Sequence, residues 1–322
     1  MNGIQRIRQY EDLIYDVGMH KGEDADFYIK KGFRVIGFEA DPDLAAQCRT
    51  RFSGEIENGQ LVVVEGAITE SPAGERDAKT IKFYKNTGNS AWGTVVDDWA
   101  QRNEHCGTSN QIIEVPVVDF LACLKKYGVP HYLKIDIEGM DAVCLRALAH
   151  LEHKPDYVSI ESEKVSFGDL LNELELLRRL GYTRFKAVQQ ANISNQKEPT
   201  PAREGCYVGY QFQKGSSGLF GADLPGGWKN YKQIGDEYRL IFVKYYLFGE
   251  YGRLSRYSLG RVLRRVLGKL LRRPIPGWYD THAKLALAHA SGSDWRPREA
   301  RAATTATGVW GRRRRPPDRS LP

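Results

Sequence analysis

Several features that would classify a protein quickly are missing from this sequence. None of its five cysteines, Cys48, Cys106, Cys123, Cys144 and Cys206, belongs to a CxxC pair, so neither a disulfide framework nor a zinc knuckle is indicated. No apolar run comes near the roughly 18 residues of a membrane span. The opening MNGIQRIRQYEDLIYD has neither the continuous apolar stretch nor the small-residue cleavage site of a secretory leader. A cytoplasmic, reducing compartment is the expectation. Acidic residues are scarce at one end: residues 251–322 hold 17 Lys and Arg against 4 Asp and Glu, which leaves 30 against 36 for residues 1–250. The formal charge of +7 therefore belongs to a terminal segment, and nucleic-acid binding by the whole chain loses its electrostatic footprint.

What is present is an ordinary globular composition, 41% hydrophobic and 27% charged over 322 residues, with short β-branched runs alternating with helix-length segments up to about residue 215. That alternation predicts a doubly wound α/β domain. The expected parallel strands are Leu13–Gly18, Arg34–Ala40, Leu61–Ile68, His131–Ile137 and Asp156–Ser162. Arg184–Gln190 and Tyr207–Gln213 have no helix-length segment between them, so they are expected to pair as an antiparallel hairpin. This is the layout of the seven-stranded class I methyltransferase (Rossmann-like) sheet rather than of an all-parallel dinucleotide fold. Residues 1–215 would form that domain, with 70–120 an inserted strand pair (Ile81–Asn86, Ile112–Val118) and loop. Residues 216–290 would be a loop and helical extension. Within it Glu237–Leu254 reads as an apolar helix, and Arg261–Arg273 as a helix whose apolar stripe caps the sheet domain. Residues 291–322 would be a disordered basic tail.

The strongest local signal is DVGMHKGED (Asp16–Asp24), closing the first strand and opening the first helix. Gly18 and Gly22 suit a tight turn, and Glu39, 21 residues after Gly18, ends the second strand where an acid grips a ribose diol. Both a nicotinamide dinucleotide and S-adenosylmethionine present a ribose, so the turn must discriminate. A pyrophosphate wants three glycines and no carboxylate. Here the middle glycine is missing and Asp16 precedes Gly18, which suits a cationic ligand. S-adenosylmethionine, with its ammonium and sulfonium, is therefore preferred, and an NAD-dependent oxidoreductase using the same crevice is the alternative. Asp16, Gly18, His20, Gly22, Glu39, Ala40 and Ala67 form the expected cofactor set. At the next strand ends, KIDIEGMD (Lys134–Asp141) and IESE bring Lys134, Asp136, Glu138, Glu161 and Glu163. Charges in a strand buried on both faces must be paired, solvated or used. Ligands of open α/β sheets bind outside the carboxyl ends of the strands, so Asp16, Glu39, Asp136, Glu138 and Glu161 should converge on one crevice.

Taken together, DVGMHKGED, GFEADP, VPVVDF, KIDIEGMD and YVSIESE resemble the FkbM family of S-adenosylmethionine-dependent methyltransferases over roughly Leu13–Gln213. GWYDTHAKLA (Gly277–Ala286) also resembles a segment downstream in some members. The resemblance implies O-methylation of a hydroxyl on a sugar, glycolipid or secondary metabolite, with Asp16, Gly18 and Glu39 in the cofactor site. Methyl transfer asks mainly for alignment of the acceptor oxygen with the methyl group. A carboxylate within reach then takes the hydroxyl proton. Asp136 and Glu138 are the expected catalytic residues, with Glu161 orienting the acceptor and His20 a rival base. A Mg²⁺ site on the same acids is the less favoured use, since no third ligand can be assigned from sequence. The expected partner is a small-molecule or glycan hydroxyl acceptor, not nucleic acid, with weak peripheral membrane contact through 251–273 a secondary expectation.

Overall fold

The computed structural model describes residues 4–69, 79–163, 165–213, 215–248, 266, 268 and 277–286. Among them the chain runs β1 (Gln9–Val17), α1 (Glu23–Lys30), β2 (Arg34–Glu39), α2 (Pro42–Arg51), α3 (Ser53–Glu57), β3 (Leu61–Glu65), β4 (Ala67–Ile68) and β5 (Thr80–Asn86). There follow α4 (Asp97–His105), β6 (Asn110–Val118), α5 (Phe120–Tyr127), β7 (Val129–Ile135), α6 (Asp141–Leu148), β8 (Tyr157–Glu161), α7 (Phe167–Arg179), β9 (Tyr182–Gln189), α8 (Tyr231–Phe248) and β10 (Tyr279–Leu285). Seven strands form one sheet in the order β3-β2-β1-β7-β8-β10-β9. The first five are parallel, and β10 runs antiparallel to both β8 and β9. β4, β6 and β5 make a separate three-stranded sheet, so the expected inserted strand pair is present and gains a short third strand.

Local chemistry sets the element ends. Asp41 caps α2 by accepting from the Asp43 N–H at 2.9 Å, with Pro42 in the first helical position. Asp119 caps α5 and Ser166 caps α7 in the same way. Alternation along β1 then divides the core. Leu13, Tyr15 and Val17 face the cluster built by α5, α6, α7 and α8, whereas Ile14 faces the one built by α1, Phe52 and the 193–228 loops. Asp16, in register with Lys134 of β7, is the charged exception in a strand that is otherwise apolar at this depth.

The C-terminal antiparallel pair is there, but its second strand is β10 and not Tyr207–Gln213. Antiparallel pairing needs no sequence adjacency, and two backbone N–H groups of the 207–213 segment are satisfied by a side chain instead. Glu198 accepts from the Val208 and Tyr210 N–H groups at 3.1 and 3.2 Å. Tyr210 and Phe212 lay their rings on Phe27 of α1 at 5.0 and 4.8 Å. The sheet thus draws on residues beyond the expected boundary at 215. So does its apolar face, where Ile234, Tyr238 and Ile241 of α8 are buried. Tyr238 joins Ser162 and Thr281 in a hydroxyl triangle of 2.6–2.8 Å. The chain divides into two units, Met1–Ser291 and Gly292–Pro322; the second, with the expected basic tail, lies outside the described residues. The Arg261–Arg273 helix lies outside them too, apart from Val266 and Gly268. No helix among the described residues is long and apolar enough to cross a membrane.

Candidate active site

Sheet order reverses between β1 and β7, since β1 leads outward to β2 on one side and β7 leads to β8 on the other. A cleft of about 1920 Å³ opens at the carboxyl ends of these strands, at the switch point where α/β sheets take ligands. At its turn end Gly18 has φ +82°, and a Cβ there would run into the Asp136 carbonyl. Only glycine lets the loops after β1 and β7 touch. Glu39 stands on the cleft wall with one oxygen accepting from the Asp41 N–H and the other from the His20 N–H, both at 2.8 Å. Burial pushes its carboxyl up to about 7, against the pull of those two donors. Each oxygen keeps a further lone pair for the cleft. Ala40 and Ala67 line the cleft beside it.

Two residues of the expected cofactor set sit elsewhere. Asp16 is wholly buried, and its Oδ1 accepts from the Lys134 ammonium at 2.9 Å; it does not line the cleft. The cation expected of a ligand is supplied by the neighbouring strand. Lys134 also donates to the Gly18 carbonyl at 2.9 Å and lies 3.5 Å from Asp24 of α1. Burial works against its charge, but Asp16, Asp24 and Asp136 hold its pKa well above the ordinary lysine value. Asp16 therefore acts through Lys134 on the turn. Gly22, the second residue outside the cleft, has φ +77° at the start of α1, where a Cβ would strike the Phe52 ring. His20 lines the cleft at φ +51°. Its Nδ1 donates to Glu23 at 3.1 Å, because a carboxylate can only accept, and its Nε2 meets the Ser90 hydroxyl at 2.8 Å.

The acids expected to be catalytic do converge. Asp136, Glu138 and Glu161 line the cleft, each with a carboxylate oxygen within 4.8 Å of the others. Glu138 has φ +46°, and the inserted segment clamps its turn from outside. Thr94 donates to the Glu138 carbonyl at 2.9 Å, Arg102 reaches its carboxylate at 3.7 Å, and Trp99 packs where Gly139 has no side chain. More acid lies around the triplet. Asp280 of β10, in register with Glu161, also lines the cleft. Burial, then Asp136 and Glu161, push its pKa well above the carboxylate range. Burial and the same two neighbours push Asp141 up to about 7. Glu173 rises to about 8 through burial, then Asp141, Glu163 and Glu161. Sequence reasoning missed Asp280, Ser90, Thr94 and Arg102. The first lay inside a segment noted only for its resemblance. Ser90 and Thr94 lie in the stretch NTGNSAWGT (residues 86–94), which carried no signal beyond its Asn and Gly content, and Arg102, on α4, carried none.

The sheet order, with β10 antiparallel beside β8, and a strand-end cleft lined by Glu39 and a carboxylate triplet define a doubly wound α/β protein of the methyltransferase type. The chain belongs to the family of the methyltransferase FkbM domain, whose model matches residues 16–184. No curated protein matches the chain. Among solved structures it is similar to methyltransferase FkbM from Methylobacillus flagellatus, at 17% identity and a TM-score of 0.35 over 56% of this chain; it spans 40% of that protein. It is also similar to a SAM-dependent methyltransferase from Geobacter sulfurreducens, in complex with S-adenosyl-L-homocysteine, at 12% identity and a TM-score of 0.32 over 87% of this chain and 86% of that one.

Proposed function

We propose that the protein is an S-adenosylmethionine-dependent O-methyltransferase acting on a hydroxyl acceptor. The observation that carries this is Glu39, held in the cleft by two backbone N–H groups so that its outward lone pairs can accept from both hydroxyls of a ribose. Family membership supports the reading. S-adenosylmethionine supplies a methyl group on a sulfonium, an electrophile that needs alignment more than activation. Glu39 would grip the ribose, and the Gly18 turn, braced by Lys134, gives the ligand backbone to lie on. Asp136 and Glu138 would take the proton of the acceptor hydroxyl, with Glu161 holding the acceptor. Isothermal titration tests the reading: the folded protein should bind S-adenosylhomocysteine and not NADH. Preference for NADH would favour the oxidoreductase, and no binding of S-adenosylhomocysteine overturns the proposal.

A second use of the same acids is a divalent cation. Among the described residues, Asp136, Glu138 and Glu161 are the group able to offer ligand atoms within 4.8 Å of one another, which provides the third ligand that sequence reasoning lacked. Hard oxygen donors of this kind suit Mg²⁺. Turnover abolished by EDTA and restored by Mg²⁺ would make this the working site, whereas full activity in EDTA leaves the carboxylates as bases.

A further inference from the structure

Beyond the acid triplet the cleft continues onto an apolar wall. Phe242, Tyr245 and Tyr246 of α8, Val165 just after β8 and Trp278 just before β10 line the same cleft as the acids. Val165 is 83% exposed, Tyr246 56% and Trp278 47%. Single exposed apolar residues are ordinary on any surface, but several gathered at the mouth of one cleft mark a groove that receives an apolar group. The wall is anchored from behind. Phe242 packs on Phe167 and on Tyr245 with ring centroids 5.2 and 5.5 Å apart. Burial, then Tyr279, Glu161 and Glu163, push the Tyr245 phenol above the usual range, and the wall and the triplet line one cleft.

Size points the same way. The cleft, at about 1920 Å³, exceeds the roughly 300–1,000 Å³ of a site for one small molecule, so a nucleoside cofactor at the Glu39 end leaves this arm open. A bare sugar or polyol would satisfy the acids and leave the wall in water. We propose that the acceptor is amphipathic, placing its hydroxyl-bearing head at Asp136, Glu138 and Glu161 while an alkyl or aryl substituent lies on Phe242, Tyr245, Tyr246 and Trp278. This rests on the methyl-transfer reading, which puts the reacting hydroxyl at the triplet.

Methyl, phenyl and octyl β-D-glucopyranoside, the last kept below its micelle concentration, test it when titrated against the full-length protein with binding read by saturation-transfer NMR. The octyl or phenyl glycoside should bind about tenfold or more tighter than the methyl one, the order expected from burying a few apolar carbons. Whichever is tighter distinguishes a chain-bearing from a ring-bearing acceptor. The preference should vanish in the Tyr246→Ser, Trp278→Ser double variant. Equal binding of all three glycosides, or a preference that survives in the double variant, overturns the proposal. Titration with S-adenosylhomocysteine in parallel keeps the two readings apart. A lost preference with nucleoside binding intact removes only the amphipathic acceptor; absent nucleoside binding removes methyl transfer and leaves the apolar subsite standing on the glycoside preference.

Discussion

The two ends of the cleft hold their carboxylates by opposite means. At the turn end, Glu39 has both oxygens fixed by backbone donors at 2.8 Å, and Asp16 is neutralised from within the sheet by Lys134 at 2.9 Å. At the other end, Asp136, Glu138 and Glu161 bring carboxylate oxygens within 4.8 Å of one another, and burial beside Asp136 and Glu161 pushes the pKa values of Asp280 and Asp141 up. A group fixed as Glu39 is makes a binding surface that needs no reorganisation when a ligand arrives, and Asp16 lies outside that surface with its Oδ2 buried and without a hydrogen-bond partner. Carboxylates gathered as closely as the triplet instead suit a ligand that brings positive charge among them. On the proposed function the contrast separates recognition from chemistry along one crevice, and mutations at the two ends should therefore fail differently.

The largest expected effect is on turnover. Asp136→Asn should lower kcat by about 10²–10⁴-fold, the usual worth of a general base, while leaving affinity for S-adenosylhomocysteine within twofold or so of wild type. A coupled assay of S-adenosylhomocysteine release with any accepted hydroxyl compound checks it, and unchanged turnover would remove Asp136 from the chemistry. Next comes the brace beneath the turn. Lys134→Met leaves Asp16 and Asp24 buried without their counter-ion, which should cost about 3–5 kcal/mol of stability in urea unfolding. A stability close to wild type would mean that the pair is not what holds the turn.

Smaller effects sharpen the comparison. Glu39 must be ionised to accept from a diol, and burial has raised its carboxyl to about 7. Below that value it holds a proton that ligand binding must displace, so affinity for S-adenosylhomocysteine should fall as pH drops through about 7, by no more than about tenfold per pH unit, and level off above it. A flat profile from pH 5 to 9 would assign the diol to another group. Arg102→Gln touches a partly exposed pair with Glu138 at 3.7 Å, so stability should change by less than about 1 kcal/mol. Turnover should drop several-fold with the acceptor KM little changed, and Arg102→Lys should recover part of it.

The same contrast explains what could be read from the sequence. Gly18, His20 and Glu39 lie in two short runs that each end one strand, so the turn end was legible as contiguous motifs. The acid triplet was legible because period-two charges in a buried strand demand a use. Asp16 was visible as a residue but not in its role, because its partner Lys134 lies 118 positions away and strand register is not written in local pattern. Asp280 was invisible for the same reason, since β10 enters the sheet between β8 and β9 after a long excursion that sequence adjacency does not anticipate. Tyr207–Gln213 has the alternation of a strand, and a single side chain, Glu198, accepts from two of the N–H groups that a neighbouring strand could have bonded.

The division of labour along the cleft is tested most directly by isothermal titration of S-adenosylhomocysteine into wild type, Glu39→Ala and Asp136→Asn side by side. Binding by wild type and Asp136→Asn with similar affinity, and its loss by at least about tenfold in Glu39→Ala, is the predicted result. Equal weakening in both variants, or full affinity in Glu39→Ala, would contradict it.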